Sequence, residues 1–395
     1  MRILQLCNKP PFPTVDGGTI ATHALTMGLL AAGHTVKVIA IETDKHPFKR
    51  SLAIDDYIKQ TGIETVRIDT NINSTGAFKA LLSGKLYILE RFVAKELEVL
   101  LEKTLRQHDY DCVLLEGLYV APYIDTIRRA SKAKIILRTH NIEHLIWQRM
   151  LFNTRHPLRW LYLQLMVAQL QKYELKAFTK VDGIAAISSI DAKLIHGLVP
   201  QVKMEEIPLT TQYKPVEGVV PEPNSIFHLG AMDWQPNING IEWLLDEVWP
   251  LVEEQNSHCK LYLAGRNMPT AVYSYAKNNI VVEGAIDNAI AYMSSKQIMA
   301  VPLFSGSGVR VKIIEGMALG KAIIATPMAV EGLSVSHKKN IYIAGNAKQF
   351  VDAILYLLYN PDFAKQLGTN AAAYADAHHR PAVVIDKLVD FISSI

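Results

Sequence analysis

The stretch "VPLFSGSGVRVKIIEGMALGKAIIAT", residues 301–326, contains in order all the elements of a parallel α/β unit. "VPLF" ends a predicted strand, and "SGSG" is a loop whose glycines allow backbone conformations that other residues rarely adopt. "VRVKIIEGMAL" is a predicted helix, and "KAIIAT" is a second, apolar strand. Because strand, loop, helix and strand are the repeating unit of a doubly wound sheet, the stretch predicts an α/β fold.

The same alternation continues in both directions from this stretch. The chain begins with a predicted strand at 2–8, a loop rich in proline and glycine at 9–18, and a helix at 19–33. Further strands, among them "DYDCVLLEG", "KIILRTH" and "VDGIAAIS", each follow a more polar, helix-like segment. This alternation indicates parallel strands joined by helices, which is the architecture of a Rossmann-like domain.

One segment separates two such domains. Residues 208–224 contain prolines and no hydrophobic periodicity, which indicates a linker, and the pattern then restarts with "SIFHLG". We therefore predict two Rossmann-like, doubly wound domains that face each other across a cleft, residues 1–208 and 209–375. The amphipathic helix at about 376–395 is predicted to pack back on the first domain.

Composition and charge exclude several classes of protein. With 395 residues and a net charge of +3, the chain is long enough for two domains and has no overall charge that favours nucleic acid. Cys7, Cys112 and Cys259 are isolated in sequence, which argues against a cysteine zinc site or a disulfide framework. Because no apolar run is long enough for a signal peptide or a membrane span, we expect a cytoplasmic protein.

The segment "GMALGK" resembles the P-loop pattern GxxxxGK[ST] but does not fit it. Gly316 and Gly320 are one residue too close together, Ala322 replaces Ser or Thr, and the second glycine precedes a strand instead of a helix. Gly320 is better explained as the residue that ends the helix with a positive φ. The sequence therefore excludes a P-loop here.

The start of the helix after "SGSG" carries two cations, Arg310 and Lys312. The helix dipole disfavours cations at this end, and a nearby anion relieves the conflict. Backbone amides at a helix start bind anions, and the loop with Ser307 and Gly308 lets a ligand approach the backbone. Because Glu315 suits ribose hydroxyls, the stretch indicates a nucleoside diphosphate site at the carboxyl end of a strand. The alternative is a surface pair of Lys312 and Glu315 beside a mobile loop.

The longer segment "GSGVRVKIIEGMALGKAIIATPMAVEGL", residues 306–333, resembles the nucleotide-sugar site of family 4 retaining glycosyltransferases, which have the GT-B fold. It is similar to the branch with the pattern G-x-R-x-K-x-x-E-A-M-A-x-G-K-P-V-V-A-T-x-x-A-x-E-G-L. The segments "FHLGAMDWQPNINGIEWLLDEVWP", "LAGRNMPT" and "VVEGAID" resemble other parts of the same donor domain. The resemblance thus covers the C-terminal half of the chain.

The resemblance implies roles for the residues of this stretch. Glu315 would contact the ribose of the donor, and Arg310 and Lys312 would neutralise its diphosphate. Many relatives have an E-x7-E motif whose first glutamate corresponds to Ser307, so sugar recognition would differ here. The resemblance alone implies retention of the anomeric configuration. Because the two cations can stabilise the departing diphosphate, we expect no metal and no cofactor, the sugar nucleotide being the substrate.

The first loop of the second domain contains a carboxylate, an indole and an amide: Asp233, Trp234 and Asn237. These groups suit a sugar or a hydroxyl-rich acceptor. Alternatively, Trp234 packs over the hinge and Asp233 caps the next helix. Arg266, which follows "LAG", is a candidate contact of the nucleotide, and Gly284 is predicted to let the backbone approach the base.

In the N-terminal domain, Gly17 and Gly18 follow the first strand and precede a helix. Backbone amides at such a place can reach a phosphate. The alternative is an ordinary turn between strand and helix, because the pattern is not GxGxxG. The similarity to the glycine loops of the family favours the functional interpretation.

His140 ends the strand of "ILRTHNIEH", where a histidine can donate to a developing charge or orient a hydroxyl. A lone histidine is more often structural. Members of the family similarly place a histidine at this strand end, close to the transferred sugar. Glu143 and His144 are weaker candidates, because "NIEH" is equally well the start of a helix.

Residues 149–180 contain a single acid, Glu174, among basic and aromatic residues. Such a helical face can lie on anionic lipid, which would suit a lipid-linked acceptor and a peripheral position at the inner face of a membrane. The alternative is a helix that packs its apolar side in the core and solvates its charges. The basic residues are Arg149, Arg155, Arg159, Lys172, Lys176 and Lys180.

The sequence therefore predicts a glycosyltransferase that moves a sugar from a nucleotide-diphosphate donor to a hydroxyl of a glycolipid, polysaccharide or glycan precursor. Two alternatives stay open: a sugar-nucleotide epimerase of the same fold and a non-catalytic binder of sugar nucleotides. The predicted catalytic residues are His140, Arg310 and Lys312. The predicted donor contacts are Gly17, Gly18, Asp233, Trp234, Arg266, Gly284, Ser307, Gly308 and Glu315.

Overall fold

A computed structural model of the protein describes residues 1–48, 52–71, 86–152, 154–306 and 308–395. The chain divides into two compact units. The first consists of Met1–Thr210 together with Pro381–Ile395, and the second consists of Thr211–Arg380.

The first unit is built on a parallel sheet. Its strands in the described part of the chain are β1 (Arg2–Cys7), β2 (Thr35–Glu42), β3 (Glu64–Arg67), β4 (Cys112–Glu116), β5 (Lys134–Thr139), β6 (Gly183–Ala186) and β7 (Lys203–Glu206). They are arranged in the order β3-β2-β1-β4-β5-β6-β7. The chain reverses its direction of winding between β1 and β4, as in doubly wound folds.

Helices cover both faces of this sheet. They are α1 (Gly17–Ala31), α2 (Leu52–Thr61), α3 (Tyr87–Glu90), α4 (Lys95–Gln107), α5 (Ile124–Ala130), α6 (Glu143–Phe152), α7 (Pro157–Phe178) and α8 (Ser189–Leu198). Along β4, Val113 and Leu115 belong to one core cluster, whereas Cys112 and Leu114 belong to the other. The central strands are apolar on both faces because both faces are covered by helices.

The second unit repeats this arrangement. Its described strands are β8 (Glu222–Leu229), β9 (Lys260–Ala264), β10 (Ile280–Gly284), β11 (Lys296–Val301), β12 (Ala322–Ala325) and β13 (Tyr342–Ile343). They are parallel and lie in the order β10-β9-β8-β11-β12-β13. The winding therefore reverses between β8 and β11, and the loops after these two strands flank the place where ligands bind in such sheets.

The helices of the second unit are α9 (Gln235–Trp243), α10 (Trp249–Gln255), α11 (Thr270–Tyr273), α12 (Ala289–Ser294), α13 (Val311–Ala318), α14 (Ala347–Tyr359) and α15 (Pro361–His379). A π-helical turn, Leu244–Val248, joins α9 to α10. The chain then enters the first unit again as α16 (Pro381–Ser394). There Val384, Ile385 and Leu388 are buried in the same core cluster as Leu25 and Leu29 of α1.

The structure confirms the predicted fold class, two Rossmann-like domains with parallel sheets. Gly320 ends α13 with a φ of 69°, as expected, and its amide donates to the carbonyl of Met317. The structure differs from the sequence prediction at the start of α1 and at two short edge strands. Helix α1 begins at Gly17, earlier than predicted, because Asp16 caps it. The edge strands β3 and β7 are not predicted, because "ETVR" and "KMEE" are short, charged and only partly buried.

Candidate functional site

The loops after β8 and β11 and the start of α13 bring several of the predicted site residues together. The loop after β8 contains Asp233 and Trp234, and the loop after β11 contains Gly308 and Arg310. Lys312 follows in the first turn of α13. Ser307, also predicted to contact the donor, lies outside the described residues.

The ammonium group of Lys312 is held by three acceptors of the protein. Nζ donates to Oδ1 of Asn237 at 2.7 Å and to the carbonyl of Leu229 at 3.1 Å, and it lies 3.5 Å from Nε2 of His228. None of these three partners is a carboxylate. Burial and the nearby charge of Arg310 lower the pKa of Lys312 to about 7. The second unit thus contains a half-buried cation whose charge these partners do not neutralise.

His228, in β8, supplies an acceptor to this lysine and no charge. Its Nδ1 donates to the carbonyl of Ala300 at 2.9 Å, so the neutral ring presents the lone pair of Nε2 to Lys312. Burial and the charge of Lys312 lower the pKa of His228 well below its usual value. The ring is therefore neutral over the physiological range of pH.

Arg310 is buried against an aromatic ring. Its Cζ lies 5.3 Å from the ring centroid of Trp234, and Nη1 donates to the carbonyl of Gly308 at 2.6 Å. Arg310 occupies the N-cap position of α13 with an extended backbone, and the helix begins at Val311. The predicted helix is therefore wrong at its start. Two other predicted site residues, Trp234 and Gly308, are thus in contact with Arg310.

Glu315 lies on the same helix, three residues after Lys312, and is half-buried. Burial raises the pKa of Glu315 to about 7, although a hydrogen bond from the hydroxyl of Tyr213 opposes this rise. Lys312 and Glu315 do not form an exposed surface pair, because the partners of the Lys312 ammonium group are neutral groups of the protein. Both side chains instead belong to a partly desolvated site.

Backbone contacts between glycines join the ends of β8, β9 and β10. The amide of Gly230 donates to the carbonyl of Ala264 at 3.0 Å, and the amide of Gly265 donates to that of Gly284 at 2.6 Å. Gly265 has a φ of 151°, and a Cβ atom there would lie 1.7 Å from the carbonyl oxygen of Gly230. A side chain at position 265 would therefore push the two loops apart.

Gly284 and Arg266, predicted near the nucleotide, lie on these joined loops. Gly284 has a φ of 70°, and a Cβ atom there would lie 2.6 Å from the hydroxyl of Tyr273. Arg266 is exposed, and its carbonyl accepts a hydrogen bond from the amide of Met232 at 2.8 Å. The carbonyl of Arg266 thus ties its loop to the loop after β8.

Asp233 and Asn237 are separated by the structure, although they are neighbours in sequence. Asp233 is exposed and does not cap α9, whose N-cap residue is Trp234. Asn237 is buried within α9, where Nδ2 donates to the carbonyl of Ala231 at 2.8 Å and Oδ1 accepts from Lys312. The predicted loop position of Asn237 is therefore wrong, because the residue lies in a helix. It positions Lys312.

In the first unit, a buried polar network surrounds Glu116 at the end of β4. Nε2 of His140 lies 2.6 Å from Oε2 of Glu116, and Nη1 of Arg138 lies 3.1 Å from the same oxygen. Gln5 donates to Oε1 at 2.8 Å, and the hydroxyl of Thr22 in α1 donates to Oε2 at 3.3 Å. Glu116 is 1% exposed, so its charge acts in a medium where such bonds are strong.

The ionisation of this network fixes the tautomer of His140. Burial would raise the pKa of Glu116, but Arg138 and His140 outweigh it and hold the pKa at about 2. The carboxylate can therefore only accept, and Nε2 of His140 must carry the proton. Burial lowers the pKa of His140, so the ring is neutral and Nδ1 has a free lone pair for a donor. A neutral His140 accepts a hydrogen bond at Nδ1 and does not donate one there.

Gly17 and Gly18 are the first residues of α1, directly after a charged cap. The side chain of Asp16 accepts from the amide of Thr19 at 2.9 Å, and it is paired with Lys9 at 2.7 Å and with His46 at 3.0 Å. Burial alone would raise the pKa of Asp16, but these partners outweigh burial and hold the pKa well below its usual range. This helix start thus already holds a carboxylate, which competes with a phosphate for the same amides.

The weaker candidates Glu143 and His144 form the start of α6, as one of the two interpretations expected. The carboxylate of Glu174 accepts from both of their amides, at 2.8 and 3.0 Å, and lies 2.6 Å from Nδ1 of His144. Burial and the charge of Glu174 raise the pKa of Glu143 to about 7, and Tyr119 donates to it at 3.0 Å. His144 is buried, and its ring is bonded to Glu174.

Three residues of these networks were not identified from the sequence: Glu116, His228 and Tyr213. Glu116 ends the strand of "DYDCVLLEG", and His228 lies near the end of the strand "SIFHLG". A polar residue at the carboxyl end of a buried strand was the signal used for His140, and the same signal applies to these two residues. Tyr213 lies in the linker, where no sequence pattern indicates its contact with Glu315.

Two general features of the described residues bear on ligands and membranes. Among them, no three His, Cys, Asp or Glu side chains are grouped so as to hold a metal ion. Nor do the described helices include one that combines the length and the apolar character of a membrane span.

The second unit matches a known family. Residues 223–360 match the family model described as Glycosyl transferases group 1. This range includes the loops after β8 and β11 and the whole of α13. The complete chain is similar to an uncharacterised 44.6 kDa protein in a cps region of Klebsiella pneumoniae, with 23% identity and 98% of each chain covered.

Solved structures are similar to the chain over its full length. Sucrose-phosphate synthase from Thermosynechococcus elongatus has a TM-score of 0.72 and 17% identity, with 100% of this chain and 99% of that chain covered. TarM from S. aureus, in complex with Fondaparinux, α-GlcNAc-glycerol and UDP, has a TM-score of 0.68 and 11% identity, with 99% and 100% covered. HepE from Anabaena, in complex with UDP-glucose, has a TM-score of 0.65 and 13% identity, with 100% of each chain covered. These likenesses show the fold, which is GT-B.

Proposed function

We propose that the protein, a glycosyltransferase by its group 1 domain and its GT-B fold, transfers a sugar from a nucleoside-diphosphate sugar to a hydroxyl group of an acceptor. The sugar nucleotide would bind at the loops after β8 and β11 and at the start of α13. Arg310, Lys312 and Glu315 would be its main contacts. We further propose that the anomeric configuration is retained, as the resemblance to family 4 implies.

The observation that carries this proposal is the state of Lys312. It is a half-buried, partly desolvated cation at a helix start, it lies beside a second cation, and its three partners are uncharged. Burial of a charge without a counter-charge is costly, and an anionic ligand removes the cost. A diphosphate at this place would restore the ammonium form of Lys312 and interact with the guanidinium of Arg310.

The same groups would promote departure of the nucleoside diphosphate. Negative charge develops on the diphosphate as the bond to the sugar breaks, and fixed cations in a desolvated site stabilise such charge strongly. Asn237 and His228 hold Lys312 in place, so this cation needs little reorganisation during the reaction. Glu315 is suited to accept hydrogen bonds from ribose hydroxyls once it is ionised.

In the first unit, His140 is the proposed contact of a substrate hydroxyl. Its Nδ1 accepts, because Nε2 donates to Glu116. An acceptor at this place can orient a hydroxyl group or accept its proton while the hydroxyl oxygen attacks the sugar. We therefore propose that His140 binds a hydroxyl as a hydrogen-bond acceptor and that Glu116 positions its ring.

The comparisons support particular classes of substrate. The HepE and TarM structures contain UDP or UDP-glucose, so UDP-sugars are the first donors to test. The relative from a cps region favours a role in polysaccharide biosynthesis. We propose a glycan, polysaccharide or lipid-linked precursor as the acceptor.

Thermal stabilisation by sugar nucleotides tests the donor site. Purified protein is heated with UDP-, GDP-, ADP- or TDP-sugars in turn, and the midpoint of unfolding is recorded. A ligand at 100 times its dissociation constant stabilises a fold by about 2.7 kcal/mol, which shifts the midpoint measurably. We expect one class of donor to stabilise the wild type, and we expect a much smaller shift for Glu315→Gln and Lys312→Met, which should bind this donor more weakly.

Matched controls separate loss of the site from loss of the fold. Glu247→Gln and Lys348→Met change exposed residues of the same unit and should keep the full shift. If no sugar nucleotide stabilises the wild type, the donor site is wrongly assigned. If a donor binds but Glu315→Gln and Lys312→Met retain the shift, the donor binds elsewhere.

The proposed roles of Arg310 and Lys312 also predict that no divalent metal is needed for sugar transfer. If Arg310 and Lys312 neutralise the leaving group, transfer should proceed unchanged in the presence of EDTA. A rate that EDTA abolishes and Mg²⁺ or Mn²⁺ restores would show that a metal does this work instead.

A further inference from the structure

The N-terminal half of α7 carries an exposed apolar stripe. Leu158, Leu161 and Leu165 are 74%, 53% and 49% exposed, and their spacing of three and four residues places them on one face. Phe152, at the end of α6, is 77% exposed. Soluble proteins rarely expose several large apolar residues together unless the patch contacts a partner or a membrane.

The opposite face of α7 already fills the core. Leu163, Met166, Val167 and Leu170 are buried there. A helix that only had to cover the core would carry polar residues on its outer face. The outward leucines therefore do not contribute to the packing of the first unit and require a different explanation.

The outward stripe continues into positive charge. Ala168, Lys172 and Lys176 follow Leu165 at the same spacing of three or four residues, so they lie on the same face. Both lysines are exposed. Within the described part of the chain, neither forms an ion pair, whereas Lys180 is paired with Asp125.

The surface near this stripe has no compensating acid from its own segment. The sequence contains one acid between residues 154 and 180, Glu174, and that side chain is buried at the start of α6. Arg155 and Arg159 are exposed near Leu158 and add to the positive charge. An apolar stripe that is continuous with cations fits a partner with a hydrophobic interior and a negative surface.

We propose that this face, defined by Leu158, Leu161, Leu165, Lys172 and Lys176, docks on a bilayer that contains anionic phospholipids. The face extends for about 27 Å along the helix axis, at 1.5 Å per residue. The leucines would enter the interfacial region, and the lysines would contact the phosphates of the headgroups. α7 would lie in the plane of the membrane, because its inner face stays packed in the protein.

A second copy of the chain is the main competing occupant, and charge argues against it. In a two-fold dimer the same face is present on both subunits. Cations of one copy would then meet the cations or the leucines of the other, and this segment has no exposed acid to neutralise them. A bilayer supplies the missing negative charge and an apolar interior at the same time.

Sedimentation with vesicles tests the proposal and needs no sugar donor. The wild type is mixed with vesicles of phosphatidylcholine alone or of phosphatidylcholine with phosphatidylglycerol, and the bound fraction is measured at low and high salt. We expect binding to the anionic vesicles that weakens with salt. Lys172→Gln with Lys176→Gln should lower the partition coefficient by about 25-fold, at about fivefold per charge.

The apolar part of the surface has its own variant and matched controls. Leu161→Ser with Leu165→Ser should lower binding by about tenfold or more, since these side chains no longer enter the bilayer. Val99→Ser with Leu251→Ser and Lys348→Gln with Lys365→Gln change exposed residues elsewhere, and they should bind like the wild type. Unchanged thermal unfolding of all variants excludes misfolding as the cause.

Each other outcome overturns the proposal. Absence of binding to anionic vesicles, or equal binding by the stripe variants and the wild type, removes this face as a membrane surface. If the wild type is a dimer in sedimentation velocity and Leu161→Ser with Leu165→Ser makes it monomeric, the stripe is instead a contact between two copies. Because the assay contains no donor, its failure leaves the proposed sugar transfer untouched.

Discussion

Lys312 and Glu315 lie three residues apart on α13, and burial moves the pKa of each to about 7 from opposite directions. In the free protein both groups therefore change charge near neutral pH. A bound diphosphate favours the ammonium form of Lys312, whereas ribose hydroxyls favour the carboxylate form of Glu315. Donor binding should thus be linked to proton exchange at these two residues.

The affinity for the donor should fall as pH rises above 7. The pKa of Lys312 is lowered in the free protein, so the ammonium form is lost above about pH 7, and binding must then recover a proton. We expect the dissociation constant to rise by up to about tenfold per pH unit until the pKa of the bound state is reached. Calorimetry in buffers with different ionisation enthalpies measures both the affinity and the proton taken up.

Lys312→Met is the control for this linkage. The variant should bind the donor more weakly and should lack the proton uptake that belongs to the lysine. An affinity of the wild type that stays constant from about pH 6 to about pH 9 would contradict the assignment. Glu315→Gln should leave the loss of affinity above pH 7 in place, because that loss belongs to Lys312.

Glu116 should act on the reaction through His140. Its charge raises the pKa of His140, although burial lowers that pKa overall. Glu116→Gln should therefore lower the pKa of His140 further and shift the acid limb of the pH profile of kcat/KM to lower pH. Gln5→Met removes another bond of the same network without a change of charge, and it should leave this limb in place. Equal shifts in both variants would indicate a merely structural role of Glu116.

Residue type and position in the chain, together with the resemblance to a glycosyltransferase family, were sufficient to select His140, Arg310, Lys312 and Glu315 as candidates. The partners of these residues could not be selected in this way, because each partner comes from a different strand or helix. Asn237 is 75 positions from Lys312, and Glu116 is 24 positions from His140. Which residues face each other at the end of a sheet depends on the order of the strands, and this order is not visible in local patterns.

At the scale of elements, the loops after β8, β9 and β10 form one backbone platform that supports the candidate donor site. Gly230, Gly265 and Gly284 are in direct backbone contact, and Leu229, next to Gly230, supplies an acceptor to Lys312. The sequence indicated glycines near a ligand, and the structure shows that Gly265 also permits contact between two loops. The edge strands β3 and β7 could not be predicted, because pairing at an edge stabilises even short polar segments.

Gly265→Ala should separate these loops. The added Cβ atom would lie 1.7 Å from a backbone oxygen, which no rotamer change can relieve. We expect the free energy of unfolding to fall by about 2 kcal/mol and the stabilisation by the donor to be lost. Denaturation in urea with and without the donor measures both effects.

Gly197→Ala is the matched control. Gly197 lies within α8, and nothing lies within 4 Å of the position of its Cβ atom. Alanine should therefore stabilise this helix slightly or leave the protein unchanged. If Gly265→Ala behaves like Gly197→Ala, the close contact between the two loops does not exist in solution.

At the scale of the whole molecule, the alternation of strands and helices was sufficient to predict the two Rossmann-like domains. Both sheets follow the same order around their first strand, so one repeated sequence pattern accounts for both. The long-range return of α16 has a visible cause as well. Its apolar face, with Leu388 and Phe391, is buried in the core cluster that contains Leu25 and Leu29.

Leu388→Ala should destabilise the first unit. Its side chain is fully buried in this core cluster, and truncation of such a leucine costs about 3 kcal/mol. Asp386→Ala changes the exposed face of the same helix and should alter the free energy of unfolding by less than about 0.5 kcal/mol. Urea denaturation followed by circular dichroism compares the two variants. Equal stabilities would mean that α16 is not packed in this core.

The return of α16 also sets an order for folding during synthesis. Residues 381–394 leave the ribosome only after all of residues 211–380, yet they complete the core that begins at β1 and α1. The second unit is continuous in the chain and can close as it emerges. The first unit therefore keeps an uncovered apolar face until the second unit has been translated. A ribosome that stalls within the second unit therefore releases a first unit that cannot be finished, and a protease can recognise its exposed core.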